Sequence, residues 1–185
     1  MKYRILHYGE EPLKKVSEPV KEIDNDIKVL VKDMFETMYA ANGVGLAAPQ
    51  IGKNIRVVVI DCGDDPLAMI NPSIIKKKGK EKGPEGCLSF PGLSEDVVRA
   101  TNVVAEYTNP DDGELYEVEA EGLLARAIQH EVDHLNGVVF VDRMSEARRL
   151  QIRNELDIIR HGGTLRTEGE EEQQQELNDS MFEAK

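Results

Sequence analysis

Apolar residues between positions 27 and 39 recur at the spacing of one face of an α-helix. Asp24 or Asn25 can cap the start of this segment, and the pair Asn42-Gly43 can end it. The residues of the apolar face are Ile27, Leu30, Val31, Met34, Phe35, Met38 and Tyr39. The pattern therefore predicts an amphipathic helix near the N-terminus.

The middle of the chain carries short runs of β-branched residues bounded by turn residues, a pattern typical of strands. Residues 109–113 combine Asn, Pro, Asp and Gly and predict a hairpin turn. The predicted strands are residues 55–60, 68–70, 73–75, 97–107 and 114–119. We expect residues 138–141 to form a short strand or an extended connection.

Two further helices are expected after the strands. One begins after Gly122 and runs through residues 130–134, and the other covers about 145–160, with Ile152, Leu156 and Ile159 on one side. Strands thus precede a central helix without regular βαβ alternation. The sequence predicts an α+β fold, with mixed or antiparallel strands packed around a central helix, the one that contains residues 130–134, and with N-terminal and C-terminal helices.

The chain divides by composition into one domain and a tail. Residues 1–163 are long enough to enclose a single hydrophobic core. Residues 164–185 carry seven acidic and two basic residues, a net charge of −5 out of −12 for the whole chain. This Glu/Gln-rich segment lacks the apolar groups needed for packing, so we expect a flexible tail.

Composition also limits the possible partners and the compartment. A net charge of −12 argues against nucleic acid as the main ligand, and no specific DNA partner is expected. The sequence has no apolar run of membrane-spanning length and no signal-peptide core at its start, so we expect a cytoplasmic protein without a membrane partner. In a reducing cytosol Cys62 is expected to be a buried thiol.

The segment His-Glu-Val-Asp-His at residues 130–134 is the strongest chemical signal. Residues four apart on a helix share one face, so His130 and His134 can bind one ion, while Glu131 lies about 100° further round the helix. This is the arrangement of a metal-dependent hydrolase with an adjacent base. The simpler alternative is a pair of surface histidines on an acidic helix.

The residues alone do not decide the third ligand. The extended metalloprotease pattern requires His at the position of Phe140 and therefore fails. Glu155 lies at the distance of a thermolysin-like ligand, although it also fits an exposed carboxylate on a charged helix. Cys87 offers a thiolate, although a lone Cys is more often a small core residue. A purely structural metal is disfavoured because such sites usually have four protein ligands.

The glycines at 43 and 45 match the dinucleotide pattern G-x-G-x-x-G/A, with Asp61 at a plausible distance downstream. That fingerprint requires a strand before the glycines and a helix after them. Here the predicted helix precedes them and a strand follows. We therefore expect the glycines to allow close approach of a substrate and not to bind a cofactor.

Three separated segments together resemble the motifs of peptide deformylase. They are Gly-Val-Gly-Leu-Ala-Ala-Pro-Gln at 43–50, Glu-Gly-Cys-Leu-Ser at 85–89, and residues 129–137 around the two histidines. The order and spacing fit the compact type I form, and the likeness extends over about residues 1–160. The resemblance implies that Cys87 is the third ligand, with His130 and His134, and that residues 1–163 are the catalytic domain.

The resemblance also implies the reaction. A deformylase removes the N-formyl group from the initiator methionine of a nascent polypeptide and releases formate. Glu131 is expected to accept a proton from the attacking water and deliver it to the departing amine. The Gln50 side-chain amide and the Leu88 backbone N–H are expected to stabilise the oxyanion.

Substrate recognition is expected from residues near these motifs. An apolar slot for the methionine side chain is expected from Val44, Leu123 and Ala127, although each could serve only core packing. The peptide backbone is expected to pair with glycines in strand-like fashion. The expected substrate-binding residues are Gly43, Val44, Gly45, Gly86, Leu123 and Ala127. Arg126 could shape the pocket mouth, and Arg99 is expected to pair with a carboxylate.

Cofactor and partner follow from the same resemblance. Ligand type alone favours zinc, whereas the family implies Fe(II), with nickel or cobalt as active substitutes and zinc weaker. Work on nascent chains implies transient contact with the ribosome. The last helix could contact ribosomal RNA through Arg143, Arg148, Arg149, Arg153 and Arg160. A solvated helix face is the simpler explanation, and the acidic tail departs from the basic C-terminus of some relatives.

Overall fold

The computed structural model describes residues 1–63 and 65–165. The helices in these ranges are α1 (Asn25–Ala40), α2 (Gly122–Leu135), α3 (Glu146–Gln151) and α4 (Arg153–Arg160). The strands are β1 (Gly45–Ala47), β2 (Val57–Ile60), β3 (Leu67–Lys78), β4 (Glu81–Gly86), β5 (Ser94–Arg99), β6 (Asn102–Thr108) and β7 (Leu115–Glu121). Short 3₁₀ turns cover Glu11–Lys14, Ala48–Ile51 and Phe140–Arg143.

The strands form two antiparallel sheets. The larger sheet has the order β1-β2-β3-β6-β7, and the smaller one pairs β4 with β5. Since helices and antiparallel strands do not alternate regularly, the predicted α+β class is confirmed. None of the helices in the described ranges is both long and apolar enough to cross a bilayer.

Strand β2, the second strand of the larger sheet, is buried on both faces. Val58 and Ile60 pack in one core cluster with residues of α2, whereas Val57 and Val59 pack in another with α1. Successive side chains of a strand point to opposite faces, which explains why this strand is apolar throughout. The sheet therefore separates α1 from α2.

Helix α1 follows the sequence prediction closely. The Asp24 side chain accepts a hydrogen bond from the backbone N–H of Ile27 at 2.9 Å and so caps the helix. The apolar face packs on the larger sheet through buried Leu30, Met34 and Met38. The predicted amphipathic helix is confirmed.

Helix α2 is buried over most of its surface. It packs on the larger sheet through Ala125, Ile128 and Leu135, and its residues from position 127 to 135 are all buried. On another side lies a cluster that joins β5 to the C-terminal helices and includes Phe90 and Phe140. The polar groups of this central helix must therefore find partners inside the protein.

The sequence predicted one continuous strand at 97–107, and this prediction is wrong because the structure has two strands, β5 and β6, with a break between them. The chain leaves the smaller sheet after Arg99 and enters the larger one at Asn102. Between them, the backbone N–H of Ala100 donates to the Gln129 side chain at 3.1 Å, and its C=O accepts from the same amide at 2.9 Å. A side chain of α2 thus replaces the sheet partner at the break.

Other predicted boundaries also change. Residues 68–70 and 73–75 belong to the single strand β3, which has a register irregularity between Ile70 and Ser73. The last helix is divided at Ile152, although Ile152, Leu156 and Ile159 are buried together as predicted. Val139 is extended as expected, but a 3₁₀ turn follows it. Residues 166–185 of the predicted tail lie outside the described residues.

Candidate metal centre and adjoining cavity

Three potential ligand atoms converge at the surface of α2. His130 and His134 lie on successive turns of this helix, and Cys87 follows directly after β4. The ligand atoms of the three residues lie within 4.8 Å of one another, and Cys87 Sγ is 3.3 Å from His134 Nε2. Glu155, on α4, is not part of this group, which is the one such group in the described ranges.

The spacing fits one small divalent cation. In a tetrahedral site with metal–sulfur and metal–nitrogen bonds of about 2.3 and 2.0 Å, sulfur and nitrogen ligands are about 3.5 Å apart. The sulfur–nitrogen distance of 3.3 Å is close to that value. Thiolate and imidazole ligands suit iron, nickel, cobalt or zinc, and three protein ligands leave one coordination position for a reactant.

Glu85 orients the first histidine. Its Oε2 lies 2.8 Å from His130 Nδ1. Although burial raises the pKa of Glu85, hydrogen bonds with His130 and Arg99 outweigh this and lower it to about 2. The carboxylate is therefore an acceptor only, so Nδ1 carries the proton and Nε2 is the ring nitrogen that can bind a metal.

Glu85 belongs to a buried network of charges. Arg99 donates from Nε and Nη2 to both oxygens of Glu85, at 2.7 and 3.0 Å, and from Nη1 to Asp133. Arg126 also donates to Glu85, at 3.0 Å, and Arg143 donates to Asp133. The prediction that Arg99 pairs with a carboxylate is confirmed. The network joins the strands that precede and follow Cys87 to the helix that carries both histidines.

Glu131 is buried beside the potential ligands. Burial raises its pKa from 4.5 to about 7, although His130 and Arg99 act in the opposite direction. Its Oε2 has no hydrogen-bond partner among the described residues. The rest of the carboxyl group lies against Gly45, where an added Cβ would be 2.9 Å from Glu131 Cδ. Only glycine leaves room for this carboxylate.

The side chain of Gln50 is held in place by a hydrogen bond from the backbone at the start of its own 3₁₀ turn. Its Oε1 accepts from the Ala47 backbone N–H at 2.8 Å, so its Nε2 points towards Ser89 Oγ at 3.1 Å and Cys87 Sγ at 3.5 Å. Leu88, next to Cys87, lines the same cavity as Gln50. Both expected oxyanion-stabilising residues thus lie beside the potential metal site.

A cavity of about 940 Å³ opens at this site. Its lining includes all six expected substrate-binding residues: Gly43, Val44, Gly45, Gly86, Leu123 and Ala127. Val44 and Leu123 are 48% and 56% exposed, whereas Ala127 is only 6% exposed. Two of the three apolar residues therefore keep much of their surface for a ligand. Arg126 also lines the cavity, while its guanidinium is held by Glu85.

Comparison with known proteins identifies the family. The family model described as polypeptide deformylase matches residues 2–150. A peptide deformylase of Desulfitobacterium hafniense is 51% identical over 147 residues, which cover 80% of this chain and 97% of that protein. The chain belongs to the peptide deformylase family. It is accordingly a metal-dependent hydrolase that removes the N-formyl group from nascent polypeptides.

Solved deformylase structures share the fold. The Thermus thermophilus enzyme gives a TM-score of 0.81 at 40% identity, covering 86% of this chain and 98% of that chain. The Synechococcus elongatus enzyme, solved in complex with actinonin, gives 0.80 at 41% identity, covering 88% and 87%. The two sheets around α2 are therefore the deformylase architecture.

Several features of the site had no clear sequence signal. Glu85 begins the second motif, but nothing in the sequence pairs it with His130 and Arg99. Asp133 lies between the two motif histidines and has no role predicted from the sequence, but it is buried and accepts hydrogen bonds from Arg99 and Arg143. Cys62, expected to be buried, is half-buried against the core. The glycines follow α1 and lead into β1, the reverse of the dinucleotide arrangement, as expected.

Proposed function

We propose that Cys87, His130 and His134 hold the single divalent ion of this deformylase. The convergence of one sulfur and two imidazoles beside a buried carboxylate carries the proposal. Bound there, a divalent ion supplies Lewis-acid chemistry, since it lowers the pKa of water and polarises a carbonyl oxygen. The protein groups around it position the peptide and move the protons.

Glu131 is the proton-transfer group in this proposal. Its buried carboxylate accepts the proton of the attacking water and later delivers it to the amine of the departing methionine. Burial raises the pKa of this carboxyl above that of an exposed glutamate, which makes the carboxylate a stronger base. The free Oε2 and the absence of a side chain at Gly45 leave the carboxylate facing the cavity.

Gln50 and Leu88 stabilise the negative oxygen that develops on the formyl carbon. The Gln50 amide is oriented in advance because its Oε1 is held by Ala47, so little reorganisation is needed during the reaction. The Leu88 backbone N–H is the second donor. The methionine side chain occupies the slot between Val44, Leu123 and Ala127.

The backbone of the formylated peptide pairs with the glycines that line the cavity. Within residues 1–63 and 65–165, β1 pairs only with β2 and β4 pairs only with β5, so each presents an edge to a further strand. Gly45 begins β1, Gly43 precedes that strand by two residues, and Gly86 ends β4; all three line the cavity. An extended peptide between these edges would satisfy their backbone groups.

The native ion is Fe(II) in this proposal. The ligand set accepts several metals, and affinity alone would select zinc. The choice of iron rests on the resemblance to the family. It is tested by anaerobic purification, metal analysis and comparison of the activities of the iron and zinc forms. Equal or higher activity with zinc would overturn the choice of iron.

The enzyme works in the cytoplasm and contacts the ribosome transiently, because its substrates emerge there as formylated nascent chains. Residues 1–163 form the catalytic domain, and the acidic tail at 164–185 is dispensable for the reaction. Truncation before the tail is expected to leave formate release from a short peptide unchanged. Loss of activity on truncation would assign the tail to the catalytic unit.

A formate-release assay on formyl-Met-Ala-Ser tests the site. Glu131→Gln should lower kcat by about 10²- to 10⁴-fold while retaining the metal, and Cys87→Ser should lose the metal. Glu155→Ala is the matched control and should change neither. Metal loss in Glu155→Ala, with cleavage of unformylated peptides, would indicate a thermolysin-like peptidase instead.

A further inference from the structure

A buried hydroxyl group lies directly behind the Gln50 side chain. Ser89 is fully buried, and its Oγ lies 3.1 Å from Gln50 Nε2. Because the nitrogen of a side-chain amide only donates, Ser89 Oγ is the acceptor of this hydrogen bond. Gln50 lines the cavity beside Cys87. Ser89 therefore contacts a residue of the site from the side of the protein interior.

The hydrogen bonds of the Gln50 amide can be assigned atom by atom. Its Oε1 accepts from the Ala47 backbone N–H at 2.8 Å. Its Nε2 has two hydrogens, of which one is directed to Ser89 Oγ at 3.1 Å and the other to Cys87 Sγ at 3.5 Å. Sulfur is a weak acceptor, so the hydrogen that faces Cys87 is the one that an oxygen in the cavity can take over.

The hydrogen bond from Ala47 does not by itself complete this orientation. The terminal torsion of a glutamine side chain has broad minima, so one anchor on Oε1 leaves the amide able to turn. Ser89 adds a second anchor at the nitrogen end of the same planar group. Two anchors at different ends restrict the turn, which aims the remaining hydrogen before charge develops on a substrate.

The backbones of Gln50 and Ser89 are held together independently of this side-chain contact. The Leu6 backbone N–H donates to the Gln50 C=O at 2.7 Å, and the Tyr8 backbone N–H donates to the Ser89 C=O at 2.9 Å. These two donors lie two residues apart in the N-terminal segment and so bridge the first and second motifs. Removal of the Ser89 hydroxyl should therefore leave the backbone in place and free mainly the Gln50 amide.

We propose that Ser89 is a positioning residue for the reaction, because it holds the Gln50 amide with one hydrogen aimed at the developing oxyanion. The inference rests on the proposed function, in which Gln50 stabilises that oxygen. Ser89 acts only through Gln50 and does not touch the substrate. Its hydroxyl should therefore matter for kcat, which depends on the transition state, and little for KM.

Kinetics of the metal-loaded full chain on formyl-Met-Ala-Ser test the proposal. Loss of an oxyanion donor costs about 10²- to 10³-fold in kcat, and loss of its orientation should cost part of this. We expect Ser89→Ala to lower kcat about 5- to 30-fold and to change KM less than about threefold. In the Gln50→Ala background the same substitution should change kcat less than about twofold. Equal effects in both backgrounds would refute action through Gln50.

Ser17→Ala is the matched control, since it removes the same atoms from another buried position. Ser17 is buried, and its Oγ has no hydrogen-bond partner among the described residues. The kcat of this variant should stay within about twofold of the wild-type value. A loss as large as that of Ser89→Ala would trace the effect to the removal of any buried hydroxyl and would overturn the proposal.

The Gln50 amide can also be observed directly by nuclear magnetic resonance. In the diamagnetic zinc form labelled with ¹⁵N, the Gln50 side-chain signals are those that disappear in Gln50→Ala. The hydrogens on Nε2 should exchange with solvent about 2- to 10-fold more slowly in the wild type and in Ser17→Ala than in Ser89→Ala. Equal exchange rates in all three proteins would refute the anchoring hydrogen bond.

The two measurements separate the positioning role from the enzyme activity. Normal formate release with an unchanged kcat in Ser89→Ala would refute the positioning role and leave the reaction as proposed. Failure of formate release in the wild type would overturn the proposed function, and this inference with it. Amide exchange would still report the hydrogen bond between Ser89 and Gln50 in that case, because it requires no substrate.

Discussion

A methyl group placed on Gly45 would collide with the carboxyl group of Glu131. The atom nearest to the added Cβ would be Glu131 Oε1, followed by Cδ at 2.9 Å and Cγ at 3.1 Å. Comfortable carbon–carbon contacts are about 3.5 to 4.0 Å, so the carboxyl group must move by roughly 0.5 to 1 Å. Gly45 does not have a positive φ, so alanine is otherwise compatible with its backbone.

A displacement of this size has a predictable kinetic cost. Misplacing a reacting group by about 1 Å can lower the rate by about 100-fold, which corresponds to about 2.7 kcal/mol in the activation free energy. We therefore expect Gly45→Ala to reduce kcat for formyl-Met-Ala-Ser by about 10- to 100-fold. Metal content should change little, because Cys87, His130 and His134 are not touched. The free energy of unfolding should fall by about 1 to 3 kcal/mol, because the methyl group overpacks a buried site.

Gly86→Ala is the matched control for this prediction. Gly86 lines the same cavity, but its added Cβ would approach no atom closer than 3.8 Å, the Leu93 carbonyl oxygen. This variant should retain kcat within about threefold. Gly45→Ala with unaltered kcat would refute the positioning of Glu131 by Gly45. A rise in KM alone would mean that the methyl group blocks the peptide instead.

Three further predictions concern the buried charge network and the strand break. Glu85→Gln should weaken metal binding about 10- to 100-fold in a metal titration, because His130 loses the carboxylate that orients it. Since the folded-state pKa of Glu85 is about 2 and its ordinary value is 4.5, its stabilisation of about 3 kcal/mol is present above pH 4.5 and is lost as the pH falls towards 2. Urea unfolding at low pH should show this loss in the wild type but not in Glu85→Gln. Gln129→Leu should reduce the free energy of unfolding by about 1 to 3 kcal/mol, because the N–H and C=O of Ala100 lose their partner; an unchanged urea midpoint would contradict this.

Local signals predicted the parts of the fold that depend on neighbouring residues. Helix α1 has both an apolar face and a capping Asp24, so its position was clear from the sequence. The turns of α2 that carry His130 and His134 were equally clear, because the spacing of these two residues is itself helical. The resemblance of three separated motifs to those of peptide deformylase then predicted Cys87 as the third ligand. No local pattern could have joined this residue to the histidines.

Tertiary partners explain what the sequence did not predict. Strand β4 consists of charged residues, glycine and proline, and becomes a strand because β5 pairs with it. The break at Ala100 depends on Gln129, which is 29 residues away along the chain. The pairing of Arg99 with Glu85 and Asp133 likewise joins three elements and leaves no periodic pattern.

The network around Arg99 has a consequence for how the enzyme acquires its ion. Its contacts join protein groups only and fasten the segment of Cys87 to the helix of His130 and His134. We expect the arrangement of Cys87, His130 and His134 to be kept while the metal ion binds, unlike a zinc finger, which folds only around its metal. Exchange of one cation for another would then proceed without unfolding, and cellular supply would decide which cation is carried.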